Sequence, residues 1–178
     1  MSPYPIEVPE NGMLPSITTK RLKLRPWSRA DVDALHSLWT EPAVRRYLWD
    51  ENVVSREQVV DIVESAVDDL GFWCMEKKRE PGLIGFCGFR RIQEPGRIEL
   101  LYGLRPDHWG AGFATEAAGA ALEYLWSSTG VSRVYAESDA PNYKSIAVML
   151  RLGMRLHSAS DGRVLYVLDR KALLASAT

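Results

Sequence analysis

The stretch ELLYGLRPDHWGAGFATE, Glu99 to Glu116, decides how this chain folds. Arg97 to Leu104 reads as a strand and Pro106 to Ala111 as a loop. Phe113, Ala117, Ala120, Ala121, Tyr124 and Leu125 then recur at helical spacing, ending before Gly130. Gly110 and Gly112 let the backbone approach a ligand closely. The helix start offers free N–H groups at the positive end of its dipole. Strand, glycine loop and helix together suit a phosphate or pyrophosphate. A plain glycine turn before a core helix is the competing reading. No Gly-Lys-Ser/Thr ending makes this a P-loop. The dinucleotide spacing also fails, because its third glycine position is Thr115.

Upstream, Ile17 to Trp27 carries Leu22 and Leu24 on one face with basic residues between them, a strand pattern. Ser28-x-x-Asp31 opens a helix bearing Ala34, Leu35, Leu38 and Trp39, and Pro42 interrupts it. Val44 to Trp49 reads as a second short helix. Ser55-x-x-Gln58 caps a third, with Val59, Ile62, Val63 and Val67 at helical spacing and Gly71 as its expected C-cap. The period then becomes two. Strands Phe72 to Lys78, Leu83 to Ile92 and Arg97 to Leu104 are separated by turns at 79–82 and 93–96. Symmetric turns predict Cys74 opposite Cys87 and Arg90 opposite Glu99. Downstream come a strand from Arg133 to Ser138, an Asn142-capped helix ended by Gly153, and strands Met154 to His157 and Arg163 to Asp169. This order predicts an α/β (α+β) fold with a mixed sheet.

The 178 residues suit one domain, 46% hydrophobic and 25% charged. The expected division is an extended, proline-rich tail over 1–16 and a single domain over 17–173. A net charge of −1 gives nothing global to attract nucleic acid, and no apolar run is long enough to span a membrane. Two cysteines at no metal spacing predict neither a disulfide scaffold nor a metal site. Residues 1–16 lack a secretory pattern, so the expected location is the cytoplasm.

A second strand-to-helix stretch, Tyr135 to Ser145, hands over at Asn142, which can cap the helix, bind a ligand, or do both. The two stretches together resemble the GCN5-related N-acetyltransferase (GNAT) superfamily, and most closely its RimJ/RimL-type branch. Trp109 to Ala117 matches the branch's Trp-Gly-x-Gly-Tyr-Ala-Thr-Glu-Ala, with Phe113 for Tyr. Asn142, Ser145 and Gly153 match its later Asn-x-x-Ser signature and following Gly. Thr19 to Arg25 and Val44 to Trp49 also look like this branch.

The resemblance implies a mostly antiparallel central sheet flanked by helices on both faces, and acetyl-CoA as co-substrate. Leu101, Tyr102, Gly103 and Leu104 would pair with the pantetheine arm. Trp109, Gly110, Ala111, Gly112, Phe113, Ala114 and Thr115 would take the pyrophosphate, with Asn142 and Ser145 nearby. An amine would attack the thioester directly, a main-chain N–H near Leu101 to Gly103 holding the oxyanion. Two departures matter. There is no Lys or Arg between Pro106 and Ser132, so the phosphates fall to main-chain N–H groups, Arg105, Lys144 or Arg151. Met149 occupies the superfamily's usual tyrosine acid position, which leaves Ser145 as the candidate donor.

Glu99 is the candidate general base, or else the ion-pair partner of Arg90. Trp39, Tyr47 and Trp49 are candidates for the acceptor pocket. His108 reads as an exposed loop residue, and His36 and His157 have no evident partner. Residues 41–71 carry eight acids and three bases, either an acidic rim that draws cationic amines or a solvated helix face. The expected activity is acetyl transfer to a primary amine, with a protein or peptide N-terminal α-amine favoured. A small cationic amine such as a polyamine, amino sugar or antibiotic is the alternative, and a non-catalytic acyl-CoA-binding module the alternative of another class. Whether the chain forms a homodimer is left open.

Overall fold

The computed structural model of the protein describes residues 6–7, 14–48, 52–65, 70–92 and 97–170. Among them, nine strands form one sheet: β1 (Ile6–Glu7), β2 (Ser16–Thr18), β3 (Leu22–Pro26), β4 (Phe72–Lys77), β5 (Glu80–Arg91), β6 (Ile98–Leu104), β7 (Arg133–Asp139), β8 (Arg155–Ser160) and β9 (Arg163–Asp169). Their order is β1-β2-β3-β4-β5-β6-β7-β9-β8. Every neighbouring pair is antiparallel except β6 and β7. The expected mixed, mostly antiparallel sheet is therefore present.

Helices α1 (Val32–Thr40), α2 (Pro42–Leu48) and α3 (Arg56–Ser65) cover one face, and α4 (Phe113–Ser128) and α5 (Tyr143–Arg151) the other. Each face has its own apolar core. Leu35, Leu38, Trp39, Val59 and Val63 bury against Phe72, Cys74 and Phe86 on the first. Ala117, Ala121, Leu125 and Met149 bury against Trp73, Phe89 and Leu100 on the second. Each fully buried Leu or Val contributes about 1.5–3 kcal/mol.

Local signals explain the helix ends. Ser28 and Asp31 form the expected capping box, which opens a short 3-10 turn over Arg29–Asp31 that runs on into α1. Glu41 has extended ψ (121°), as a residue before proline prefers, so α1 stops and Pro42 begins α2. Ser55 and Gln58 also form their box, at 2.7 and 3.2 Å. Gly153 closes α5 with a 3.0 Å bond from its N–H to Leu150 O, and Met154 N–H donates to Met149 O at 3.0 Å.

Several expectations need correction. Cys74 faces Phe86, and Cys87 faces Trp73. The turn lies at Lys78 and Arg79, β5 already begins at Glu80, and irregularities at Met75/Glu76 and Glu76/Lys77 shift the register. A one-residue slip reverses the faces, so the two thiols lie in opposite cores. The end of α3 expected at Gly71 falls among residues 66–69, which lie outside the described residues, and Gly71 itself has φ 93°. Gly71 also leads into β4, and its carbonyl accepts from Phe89 N–H at 3.0 Å. The turn expected at 93–96 lies outside the described residues. The predicted Arg90–Glu99 pairing is present. Within the stretch expected as a tail, Ile6–Glu7 pairs with β2, and Pro15 O accepts from Trp73 Nε1 at 2.7 Å.

Candidate functional site

The one parallel contact in the sheet locates the site. β6 and β7 share a single registered pair, Glu99 with Tyr135, and part beyond it. From Leu100 to Leu104, β6 is paired only with β5, so its other edge opens into a cleft. Because β6 and β7 are parallel, the helices that follow them, α4 and α5, both start at the cleft's mouth.

The β6–α4 connection contains the glycine loop. Pro106–His108 makes a 3-10 turn, and Trp109 pins the loop to the strand by donating its indole N–H to Leu104 O at 2.8 Å. Gly110 and Gly112 have φ of 76° and 79°, a left-handed conformation that L side chains rarely adopt. Gly110, Ala111 and Gly112 are exposed. The first helical bond on α4 runs from Glu116 N–H to Gly112 O at 3.0 Å. Phe113, Ala114 and Thr115 therefore have no intrahelical acceptor, and no side chain caps the helix. This is a cradle of outward N–H groups beside an open strand edge, which fits a phosphate or diphosphate ester with an extended arm.

The β7–α5 connection closes on itself. Asn142 Oδ1 accepts from Ser145 N–H at 3.3 Å, so the cap reading is realised. Spanning the cleft's mouth, the Tyr102 hydroxyl lies 3.0 Å from Ser145 O and 2.9 Å from Ser145 Oγ. The phenol has one proton. If it goes to the carbonyl, Ser145 Oγ donates to Tyr102. If it goes to Oγ, the serine proton is free for a ligand. Burial pushes the Tyr102 pKa up to about 12, against the opposing pull of the Ser145 hydrogen bond. Residues 43 apart in sequence make this pair, and no local spacing announces it. Met149 is buried in the apolar core, away from any proton transfer.

Of the three cationic candidates for the phosphates, Lys144 comes to the loop, its Nζ 4.2 Å from the centre of the Trp109 ring. Arg105 is turned inward, its Nε donating to Leu83 O at 3.1 Å. His108 is not the exposed residue expected. Its side chain is 17% exposed, set edge-on to Phe113 and 3.7 Å from Asp107 Oδ2.

Glu99 is buried, and its Oε2 accepts from Arg90 Nε at 2.6 Å. Trp39 is 1% exposed and packs edge-on against Phe86, 5.6 Å between ring centres. It is a core side chain. Tyr47 on α2 is half-buried beneath the Arg46 guanidinium, and Trp49 lies outside the described residues. His36 and His157 do have partners, Val54 O at 3.2 Å and the Tyr135 ring at 5.6 Å. Burial raises the pKa of both thiols far above the usual range, so neither is a poised nucleophile. Among the described residues there is no cluster of metal ligands, and no helix is long and apolar enough to cross a membrane.

A splayed parallel strand pair with a glycine cradle at its open end defines a protein that can hold a phosphate-bearing ligand with an extended arm. Residues 21–155 match the acetyltransferase (GNAT) domain family. The uncharacterized N-acetyltransferase p20 of Bacillus licheniformis is 30% identical over 165 residues, which cover 85% of this chain and 92% of the relative. Spermidine N(1)-acetyltransferase of Escherichia coli (strain K12) is 24% identical over 135 residues, 74% of this chain and 72% of that one. RimL, a ribosomal L7/L12 alpha-N-protein acetyltransferase solved with coenzyme A, shares the fold at a TM-score of 0.72. It is 20% identical, with 85% of this chain and 95% of that chain covered. The chain belongs to the GNAT acetyltransferase family. It is an acetyl-CoA-dependent N-acetyltransferase.

Proposed function

We propose that residues 17–173 act as one domain of the RimJ/RimL-type branch, transferring acetyl from acetyl-CoA to the N-terminal α-amine of a protein or peptide. The thioester arm lies along the open edge of Leu101 to Leu104, and the pyrophosphate on the N–H groups from Gly110 to Thr115. The neutral amine attacks the thioester carbon. The oxyanion takes a main-chain N–H near Leu101 to Gly103, and the C–S bond then breaks. Ser145 gives its proton to the leaving thiolate and regains one from Tyr102 or solvent. Two buried free thiols suit a reducing compartment such as the cytoplasm.

The observation that carries the acceptor assignment is the Arg90–Glu99 ion pair. The carboxylate on the central strand is already engaged by a guanidinium. An acceptor that sheds its proton easily therefore fits best. At pH 7 an α-amine costs about 1 kcal/mol to deprotonate, and a lysine-like amine nearly 5. The proton that the attacking nitrogen sheds passes to solvent or to Glu99, whose Oε2 already accepts from Arg90.

A small cationic amine is the second reading, favoured by the likeness to spermidine N(1)-acetyltransferase and by the acidic 41–71 segment. Release of CoA thiol from acetyl-CoA separates the two. Peptides with free N-termini should be turned over and polyamines should not. Turnover confined to polyamines would reverse the assignment.

A further inference from the structure

A basic residue is missing from the phosphate loop's own sequence, yet a guanidinium is fixed against that loop from elsewhere. Arg21 lies in the turn between β2 and β3. Its Nη1 donates to Ala111 O at 2.8 Å, and its Nε donates to Glu116 Oε2 at 2.6 Å. Its backbone N–H donates to Glu116 Oε1 at 2.8 Å, where the Thr19 hydroxyl also donates at 2.6 Å. The guanidinium carbon sits 4.5 Å from the centre of the Phe113 ring, and Nη2 lies over Gly112.

Two consequences follow. Glu116 stands in the first turn of α4, where a bare carboxylate would face any bound phosphate. Three donors occupy its oxygens and turn its charge toward the β2–β3 turn. Ala111 O belongs to the same planar peptide as Gly112 N–H, and the two point in opposite directions. By holding the carbonyl, Arg21 aims that N–H away from itself, into the cradle.

We infer that Arg21 is a positioning residue for the phosphate loop, a clamp from the β2–β3 turn that holds the Gly112 N–H toward bound CoA and neutralises Glu116. The inference rests on the reading of this loop as the CoA phosphate site. The geometry is specific to arginine: one planar fork bridges a carboxylate and a carbonyl, which an ammonium cannot span.

The test is calorimetric titration of CoA into the full chain and into Arg21→Ala and Arg21→Lys, with the unliganded melting temperature of each. Arg21→Ala should raise the Kd about tenfold or more, and Arg21→Lys by a smaller factor, with both variants still folded at 25 °C. In the double variant Arg21→Ala with Glu116→Gln, which removes both charges together, the salt dependence of the Kd should match wild type, because a positioning residue makes no phosphate contact of its own. A wild-type Kd in either single variant would overturn the inference. So would a flattened salt dependence in the double variant, which would make Arg21 a direct phosphate ligand. Wild-type protein that binds no CoA would instead sink the loop reading itself.

Discussion

The two strand-to-helix handovers at the mouth of the cleft solve the same problem in opposite ways. Both leave parallel strands and begin helices whose first N–H groups need acceptors. At β7–α5, Asn142 supplies an acceptor from its own side chain. At β6–α4, Gly112 holds a left-handed φ of 79°, no side chain caps the helix, and the bracing comes from Arg21, 90 residues before Ala111 in sequence. A handover that caps itself places a side chain, here the Ser145 hydroxyl. A handover braced from outside keeps its donors open for a ligand. In the proposed mechanism the division of labour is proton donor on one side and anion cradle on the other.

The largest effect should come from the self-capped side. Ser145→Ala should lower kcat about a hundredfold, the range for a positioned general acid, and leave the KM for acetyl-CoA within about threefold. Steady-state kinetics with acetyl-CoA check this. Loss in KM alone would make Ser145 a binding residue. Next is the open side. At Gly112→Val nothing crowds the added Cβ, since the nearest atom is Arg21 Nη2 at 3.5 Å, but a φ of 79° strains a branched side chain. That strain is of order 1–3 kcal/mol, and relieving it turns the cradle. The Kd for CoA should rise tenfold or more while kcat at saturation changes little. An unchanged Kd would mean that the ligand does not use these donors.

How much of this was legible in the sequence depends on distance along the chain. The Gly110–Gly112 loop and the Asn142 cap are local and read directly from residue type. The Arg90–Glu99 pair follows from turn symmetry. The same reasoning failed for Cys74 and Cys87, because the strand irregularities around Glu76 absorb a residue. The Arg21 clamp and the Tyr102–Ser145 pair join residues 95 and 43 apart. Nothing in their local pattern marks them, and Thr19 to Arg25 stood out only through the family resemblance. Trp39 misled because an aromatic near an acceptor segment looks the same in sequence whether it lines a pocket or fills a core.

The clamp also has a pH signature. Burial by itself would raise the Glu116 pKa, but hydrogen bonds from the Thr19 hydroxyl and from Arg21 outweigh it, and the carboxyl titrates below its ordinary value of 4.5. A depressed carboxyl stabilises the fold fully above 4.5 and loses that contribution as pH falls through its native pKa. At pH 7, Glu116→Gln should be less stable than wild type by about 1–2 kcal/mol. The gap should narrow as pH drops below 4.5. Urea unfolding at several pH values measures it, and a gap independent of pH would mean that the clamp stabilises by packing rather than charge.

The smallest expected effect tests whether the closed handover is closed in function too. Asn142 accepts from Ser145 N–H at a long 3.3 Å, so its cap should sit at the weaker end of the usual range. Asn142→Ala should cost about 0.5 kcal/mol and lower the melting temperature by roughly 1–2 °C. Asn142→Asp keeps the acceptor oxygen and should restore that loss, because aspartate caps as well as asparagine. The added charge lies at the cleft's mouth, near where an anionic cofactor enters. If Asn142 acts only as a cap, the aspartate variant keeps its melting temperature and raises the KM for acetyl-CoA at most a fewfold, an effect that fades with salt. If Asn142 also donates its amide to the cofactor, Asn142→Ala and Asn142→Asp share a raised KM that salt does not rescue. In that case the contrast between a self-satisfied helix start and an open one is only partial, and both handovers bind.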